Sequence, residues 1–191
     1  MDFEELVYKR RTIRRYKEKE VPIEILKKLV DYGRVAPAGA NIQAVEYVII
    51  KNEQTRKSLF PLVRWAGGLP KNMRTPEEGR RPMAYIIVLV NLEIKKGADH
   101  DIGAAVENIL LGAANEGLGA CWMGAIDRKK IRKLLEIPKK YKIEHVISIG
   151  YPDETSQIES FDGTFKYWKD DAGNMHVPKR SLEDIILRID D

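Results

Sequence analysis

The sequence predicts one domain, residues 1–191, in which helices alternate with a few buried strands. The length suits a single domain with its own core, or one subunit of an oligomer. Residues 84–90 read AYIIVLV, an uninterrupted apolar run typical of a strand buried on both faces. From Ile102 to Ala113, apolar residues recur at intervals of three or four, which indicates a core helix. Small residues along this helix favour close packing, and they are also compatible with a helix shared between subunits.

The first half of the chain adds two helices and a strand. Helical spacing predicts a short helix near residues 3–7 and a second from Pro22 to about Val35, because Pro37 disfavours helical geometry before it. The β-branched stretch 47–50 predicts a strand. Residues 52–82 carry four prolines and three glycines, so we expect an irregular segment that lines a pocket.

In the second half, we expect strands at 120–123 and 145–149 and a helix from Lys129 to about Leu135. The stretch 153–178 is polar apart from a few aromatic residues, and a last helix is expected from Ser181.

Composition excludes several functional classes. The 33 basic and 29 acidic residues are interspersed, whereas nucleic-acid-binding proteins concentrate basic charge on one face. One cysteine, Cys121, excludes internal disulfides and CxxC metal sites, and the three histidines lack metal-ligand spacing. No apolar run suggests a signal peptide or a membrane span, so we expect a cytoplasmic protein with neither nucleic-acid nor membrane partners.

The densest charge lies at residues 10–15, Arg-Arg-Thr-Ile-Arg-Arg. Arginine binds phosphate through two parallel hydrogen bonds and stays charged at any working pH. In an extended segment, Arg10, Thr12 and Arg14 would share a face and neutralise a phosphomonoester. The alternative is a solvated basic surface paired with acids. A second basic pair, Lys179–Arg180, precedes the last helix.

A turn of small residues at 37–43, Pro-Ala-Gly-Ala-Asn-Ile-Gln, ends in two amide side chains. Gly39 permits close backbone approach, and Asn41 and Gln43 each offer a donor and an acceptor, as the edge of a flavin or pyrimidine does. The alternative is an ordinary loop in which Asn41 caps backbone groups. Because no nucleophile or acid–base set is evident, a phosphorylated ring cofactor is the simpler proposal.

Five segments in order resemble the nitroreductase family of FMN-dependent NAD(P)H oxidoreductases: RRTIRRY, PAGANIQAVEYVII, DIGAAVENILLGAANEGLGACWMGAI, HVISIGYP and VPKRSLEDII. The resemblance implies an α+β fold with a small, mostly antiparallel central sheet flanked by helices. It also implies an intertwined homodimer with FMN at the interface, touching both subunits.

The resemblance also implies which residues bind FMN. The phosphate and pyrimidine edge would meet Arg10, Arg11, Thr12 and Arg14. The partner subunit would supply Pro37, Ala38, Gly39, Asn41 and Gln43. The reactive N5 edge would lie near Met123 and Gly124, and a C-terminal phosphate contact would come from Arg180 with Lys179.

This chain departs from the family pattern at two of these positions. Thr12 keeps the hydroxyl of the usual serine, whereas Ala38 lacks it and with it one side-chain hydrogen bond. The family's polar contact from the segment before AYIIVLV stays unassigned among Asn72, Arg74 and Arg81.

The implied activity is a ping-pong transfer of hydride from NAD(P)H through flavin N5 to a small electron-poor acceptor, such as a nitroaromatic or quinone. The flavin carries the chemistry, so no protein residue is expected to be catalytic. Two alternatives stay open. One is an FMN-binding protein of this fold with other chemistry, such as dehalogenation or flavin storage. The other is a non-enzymatic basic module.

Overall fold

The computed structural model describes residues 1–190. The fold combines helices with one antiparallel sheet and one mixed sheet. The helices are α1 (Phe3–Lys9), α2 (Ile23–Arg34), α3 (Glu53–Leu59), α4 (Lys71–Arg74), α5 (Asp99–Asn115), α6 (Arg128–Leu134) and α7 (Leu182–Ile185). The strands are β1 (Val45–Ile50), β2 (Ala84–Asn91), β3 (Gly119–Met123), β4 (Tyr141–Gly150), β5 (Ser156–Ser160), β6 (Trp168–Lys169) and β7 (Met175–Lys179).

The central sheet has four antiparallel strands in the order β1-β2-β4-β3. Every residue of β2 is buried, as its apolar run predicts. Successive side chains of a strand point to opposite faces. Ile86 and Val88 therefore join one core cluster with α2 and α5, while Tyr85 and Ile87 join a second with α3 and α6. The expected α+β fold with a small antiparallel central sheet is confirmed.

A second sheet forms between residues 156 and 179, almost entirely in the polar stretch 153–178, for which the sequence predicted no strands. Its order is β5-β7-β6, with β5 parallel and β6 antiparallel to β7. At its centre, His176 Nδ1 lies 2.7 Å from Glu159 Oε1 and its Nε2 lies 3.3 Å from Asp170 Oδ2. The Trp168 ring stacks on the imidazole at 5.0 Å between centroids. Hydrogen bonding to Glu159, together with the Asp170 carboxylate, raises the pKa of His176.

The expectation for residues 52–82 needs correction. Residues 52–82 are not irregular throughout, because α3, a 3₁₀ turn at Phe60–Leu62 and α4 lie within them. The Asn52 carboxamide oxygen accepts the Thr55 backbone N–H at 3.0 Å, an N-cap that starts α3. The expected last helix is present as a single turn, α7, with Ser181 as its N-cap. No helix in residues 1–190 is long and apolar enough to cross a membrane.

Candidate functional site

The arginine segment, residues 10–15, lies in extended form beside the first residues of β3. Thr12 forms a parallel bridge with Ala120, and the Ile13 N–H donates to the Ala120 carbonyl oxygen at 3.0 Å. A Cβ on Gly119 would lie 2.6 Å from Ile13 Cβ, closer than real side chains approach. Glycine at this position therefore lets the segment reach the sheet.

Arg10 and Arg11 line a cavity of about 210 Å³, whose wall includes Leu118. Arg10 Nε lies 3.2 Å from Glu107 Oε1, but its N–H is not directed at that oxygen and remains a buried donor without a hydrogen bond. Within residues 1–190, the Arg11 side chain donates only to backbone carbonyls, those of Arg10 at 2.7 Å and Val7 at 3.3 Å. Burial and the Arg10 charge lower the pKa of Arg11. Burial of the Arg11 guanidinium and its repulsion by Arg10 both favour an anion beside these side chains.

The two remaining arginines of the segment differ in their partners. The Arg14 guanidinium lies over the Tyr167 ring, 5.3 Å from its centroid, and has no ion pair within residues 1–190. Arg15 instead pairs with Glu77 at 2.9 Å and with Glu154 at 3.5 Å. The positive charge left for a ligand therefore belongs to Arg11 and Arg14, because Arg10 lies beside Glu107 and Arg15 is paired with two carboxylates.

The loop 37–43 is anchored by a buried carboxylate at the start of α5. Asp101 Oδ1 accepts the Gly39 N–H at 3.0 Å, and Oδ2 accepts from Lys95 Nζ at 2.8 Å. The hydrogen bonds from Lys95 and Gly39 lower the pKa of Asp101. Ala40 and Asn41 have φ of 52° and 55°, in the left-handed region that costs non-glycine residues energy. Such strain is often held at functional sites.

The amides of Asn41 and Gln43 are exposed, and neither side chain makes a hydrogen bond within the described part of the chain. Asn41 therefore does not cap backbone groups, which was the alternative interpretation of this loop. Gln43 lines a cavity of about 410 Å³ together with Pro37 and Ala38. The donors and acceptors predicted for a heterocycle edge are thus available to a ligand.

The other predicted positions lie on two separate elements. Met123 is buried at the end of β3, and the exposed Gly124 follows it. A Cβ on Gly124 would lie 3.3 Å from His145 Nδ1, a buried atom without a hydrogen-bond partner. Lys179 and Arg180 are exposed at the end of β7. No hydrogen bond or ion pair among residues 1–190 joins that pair to the arginine segment.

Residues 52–82 supply both core and cavity side chains. Phe60 and Trp65 are buried and pack together at 5.4 Å between centroids, so they belong to the core. Arg74 donates to a backbone carbonyl at 2.5 Å, and the Arg81 guanidinium lies 4.5 Å from the Phe60 ring centroid. Asn72 lines a cavity of about 750 Å³ beside the second sheet. None of these contacts singles out one residue as a flavin contact.

Helix α5 separates the two halves of the predicted site. The loop 37–43 is tied to Asp101 in the first turn of α5, whereas the cavity at Arg10 and Arg11 is walled by Ala114 near its end. Arg10 itself lies beside Glu107, six residues beyond Asp101, which corresponds to about 9 Å along the axis. The two halves line separate cavities that share no lining residue.

The family is decided by a comparison of the whole chain. The model of the nitroreductase family matches residues 7–73 and 80–151, well over half of the protein. The chain belongs to the nitroreductase family. A relative from Methanothermobacter thermautotrophicus, named "Putative NADH dehydrogenase/NAD(P)H nitroreductase", is 32% identical over 161 residues, which cover 81% of this chain and 79% of the relative.

Two further comparisons are informative. The FMN-dependent nitroreductase structure from Clostridium difficile has a TM-score of 0.68 at 26% identity, covering 81% of this chain and 90% of that one. The iodotyrosine deiodinase of Thermotoga neapolitana is 25% identical, over 78% of this chain and 88% of its own length.

Sequence reasoning missed the residues that hold the site segments in place. Asp101 was not singled out because one acid in the first turn of a helix is common. Glu154 and Lys169 lie beyond the family match, in a stretch interpreted as a polar tail. The Gly-Tyr-Pro that closes β4 could have indicated Glu154 from the sequence. The chain leaves the sheet there, and Glu154, which follows two residues later, contacts the arginine segment.

Proposed function

We propose that this chain is an FMN-dependent NAD(P)H oxidoreductase that reduces a small electron-poor acceptor by a ping-pong mechanism. The observation that carries the proposal is the arginine segment, where Arg11 and Arg14 have no carboxylate partner within residues 1–190 and Arg10 keeps a buried donor free. Membership of the nitroreductase family and the FMN-dependent relative from C. difficile support FMN as the anion.

The residues present fit FMN at both of its ends. Arg10, Arg11 and Arg14 supply bidentate donors for the phosphate, with the Thr12 hydroxyl as a further donor. Bound FMN supplies hydride transfer between the nicotinamide and the acceptor at its N5 atom. The chain's part is to hold the ring and the phosphate. Met123 and Gly124 lie three and four residues after Ala120, the residue of β3 that contacts the arginine segment. That spacing, about 10 Å, separates a phosphate site from a ring site.

The proposed active form is an intertwined homodimer with one FMN between an arginine segment and the partner's loop 37–43. The placement of the two halves in separate cavities of one chain supports this sharing, because a second copy can complete each half. Exposed apolar side chains at both termini also favour a partner: Phe3, Tyr8, Leu182, Ile185, Leu187 and Ile189.

Arginine variants test the phosphate site. Charge-assisted hydrogen bonds contribute about 1.5–3 kcal/mol, so Arg10→Ala or Arg180→Ala should weaken FMN binding by about tenfold to a hundredfold. The dimer should stay folded, and Lys27→Ala, which removes an exposed lysine on α2, should bind FMN as the parent does. If both arginine variants hold FMN as tightly as the parent, the phosphate site is misplaced.

Complementation tests the shared site. A chain with Arg10→Ala and Arg11→Ala and a chain with Asn41→Ala and Gln43→Ala should each bind FMN weakly. After unfolding and refolding together, random C2 pairing restores about a quarter of the sites. If the mixture gains no FMN binding over the separate variants, each site is built within one chain.

One observation favours a second candidate, a flavin enzyme that removes halogen from an aromatic substrate. It is the similarity to the iodotyrosine deiodinase of T. neapolitana. The two candidates differ in turnover: reoxidation by an iodinated phenol with iodide release would support this one. Rapid turnover of nitroaromatics or quinones without iodide release from iodophenols would support the nitroreductase activity.

A further inference from the structure

Glu154 is the most enclosed charged side chain beside the arginine segment, with 1% of its side chain exposed. Its Oε1 accepts the backbone N–H of Arg14 at 2.6 Å and that of Arg15 at 3.3 Å. Its Oε2 accepts from Lys169 Nζ at 2.8 Å and lies 3.5 Å from the Arg15 guanidinium. One carboxylate therefore joins two consecutive backbone N–H groups to two cations.

Lys169 comes from β6 of the second sheet and is itself only 7% exposed. A buried carboxylate is stable only when it is paired and hydrogen-bonded, so Lys169 helps to keep Glu154 charged and in place. A neighbouring backbone bond, from the Asp153 N–H to the Arg15 carbonyl at 2.9 Å, fixes the same strip of chain.

Tyr167, two residues before Lys169, makes a further link to the arginine segment. Its ring lies under the Arg14 guanidinium, and its hydroxyl accepts the Gly68 N–H at 3.0 Å. Aromatic stacking restricts a guanidinium while leaving its N–H groups free for a ligand. Glu154, just before β5, and Tyr167, just before β6, thus contact the backbone and the side chain of Arg14 respectively.

We propose that Glu154 is a positioning residue for the flavin phosphate, locked by Lys169 of β6 and assisted by Tyr167, which immediately precedes that strand. This inference rests on the proposed function. Glu154 does not touch the ligand: it sets the backbone from which Arg10 to Arg14 reach the phosphate. All three positioning residues lie beyond residue 151, where the family match ends.

A comparison of FMN with riboflavin tests this role, because riboflavin has the same ring and lacks the phosphate. The full-length protein, stripped of flavin, is titrated with each by flavin fluorescence. Glu154→Gln should raise the Kd for FMN by about tenfold or more, since Gln has one acceptor oxygen and no charge. It should leave the riboflavin Kd within about twofold of the parent.

Companion variants separate positioning from general stability. Lys169→Met should weaken FMN selectively, and Lys169→Arg, which keeps the charge, should restore it. Glu159→Gln, on β5 and bonded to His176, should change neither Kd. If Glu154→Gln fails to fold, the FMN and riboflavin Kd values of Tyr167→Leu and Tyr167→Phe give the same test. Tyr167→Leu should weaken FMN binding selectively, whereas Tyr167→Phe should not, because phenylalanine keeps the ring under Arg14.

Two results would overturn the inference: equal weakening of FMN and riboflavin, which shows a purely structural role, or no change in either Kd. A parent protein that binds neither flavin overturns the proposed function itself and the inference with it.

Discussion

Replacing Ala40 with glycine should stabilise the protein, although glycine usually destabilises. Ala40 has φ 52° and ψ 25° and is held there by the 3₁₀ turn Gly39–Asn41, in which the Ile42 N–H donates to the Gly39 carbonyl at 3.1 Å. The left-handed conformation costs an L-residue about 1–2 kcal/mol, a cost that glycine avoids. Glycine's extra freedom in the unfolded chain costs about 0.4–1 kcal/mol. The balance is a gain of about 0.5–1 kcal/mol.

The neighbouring Ala38 provides a matched control in the same loop. Its φ of −128° and ψ of 143° are ordinary extended values, so glycine relieves nothing there. Ala38→Gly should therefore lower the free energy of unfolding by about 0.4–1 kcal/mol. Urea unfolding at one protein concentration, with excess FMN, measures both variants. For a chain of this length, 1 kcal/mol corresponds to about 2–4 °C in Tm. If Ala40→Gly destabilises as much as Ala38→Gly, Ala40 is not held in the left-handed region.

Two further changes test the packing and the electrostatics. Gly119→Ala places a Cβ 2.6 Å from Ile13 Cβ. It should lower the free energy of unfolding in urea by about 1–3 kcal/mol and weaken FMN binding. Gly67→Ala, whose Cβ would meet nothing within 4 Å, should do neither. Equal behaviour of the two variants would place the arginine segment elsewhere. The raised pKa of His176 means that its protonated form stabilises the fold fully below about pH 6.5, and that this stabilisation is lost as pH rises through the raised value. Urea midpoints should fall across that rise in the parent and stay level in His176→Gln; a parallel fall in both would show that another group titrates.

The elements with a strong apolar pattern were predictable from the sequence. Strand β2 is an unbroken apolar run, and α5 repeats its apolar residues at helical spacing, so burial alone fixes both. The second sheet has no such pattern. Its strands are short and partly exposed, and β5 pairs directly and in parallel with β7, although β6 lies between them in the sequence. Pairing of this kind depends on tertiary contacts that local sequence does not encode.

The candidate site was predictable as segments, and its internal support was not. Residue type and order suggested the arginine segment and the loop 37–43 as ligand-binding, and the flavin contacts assigned to them stay predictions. The neutralisation of Arg15 could not be foreseen, because Glu77 and Glu154 lie 62 and 139 positions away in the chain. The same holds for Asp101, whose bond to Gly39 spans 62 positions.

The most direct test is the visible absorbance spectrum of the purified protein, recorded without oxygen before and after adding NADH or NADPH. The account predicts a flavin spectrum that bleaches on addition of the reduced nicotinamide and returns when a quinone or nitroaromatic is added. A flavin that stays oxidised would contradict the NAD(P)H-dependent activity and favour another role for bound FMN. A colourless protein that cannot be reconstituted with FMN would contradict the central claim that the arginine segment holds a flavin phosphate.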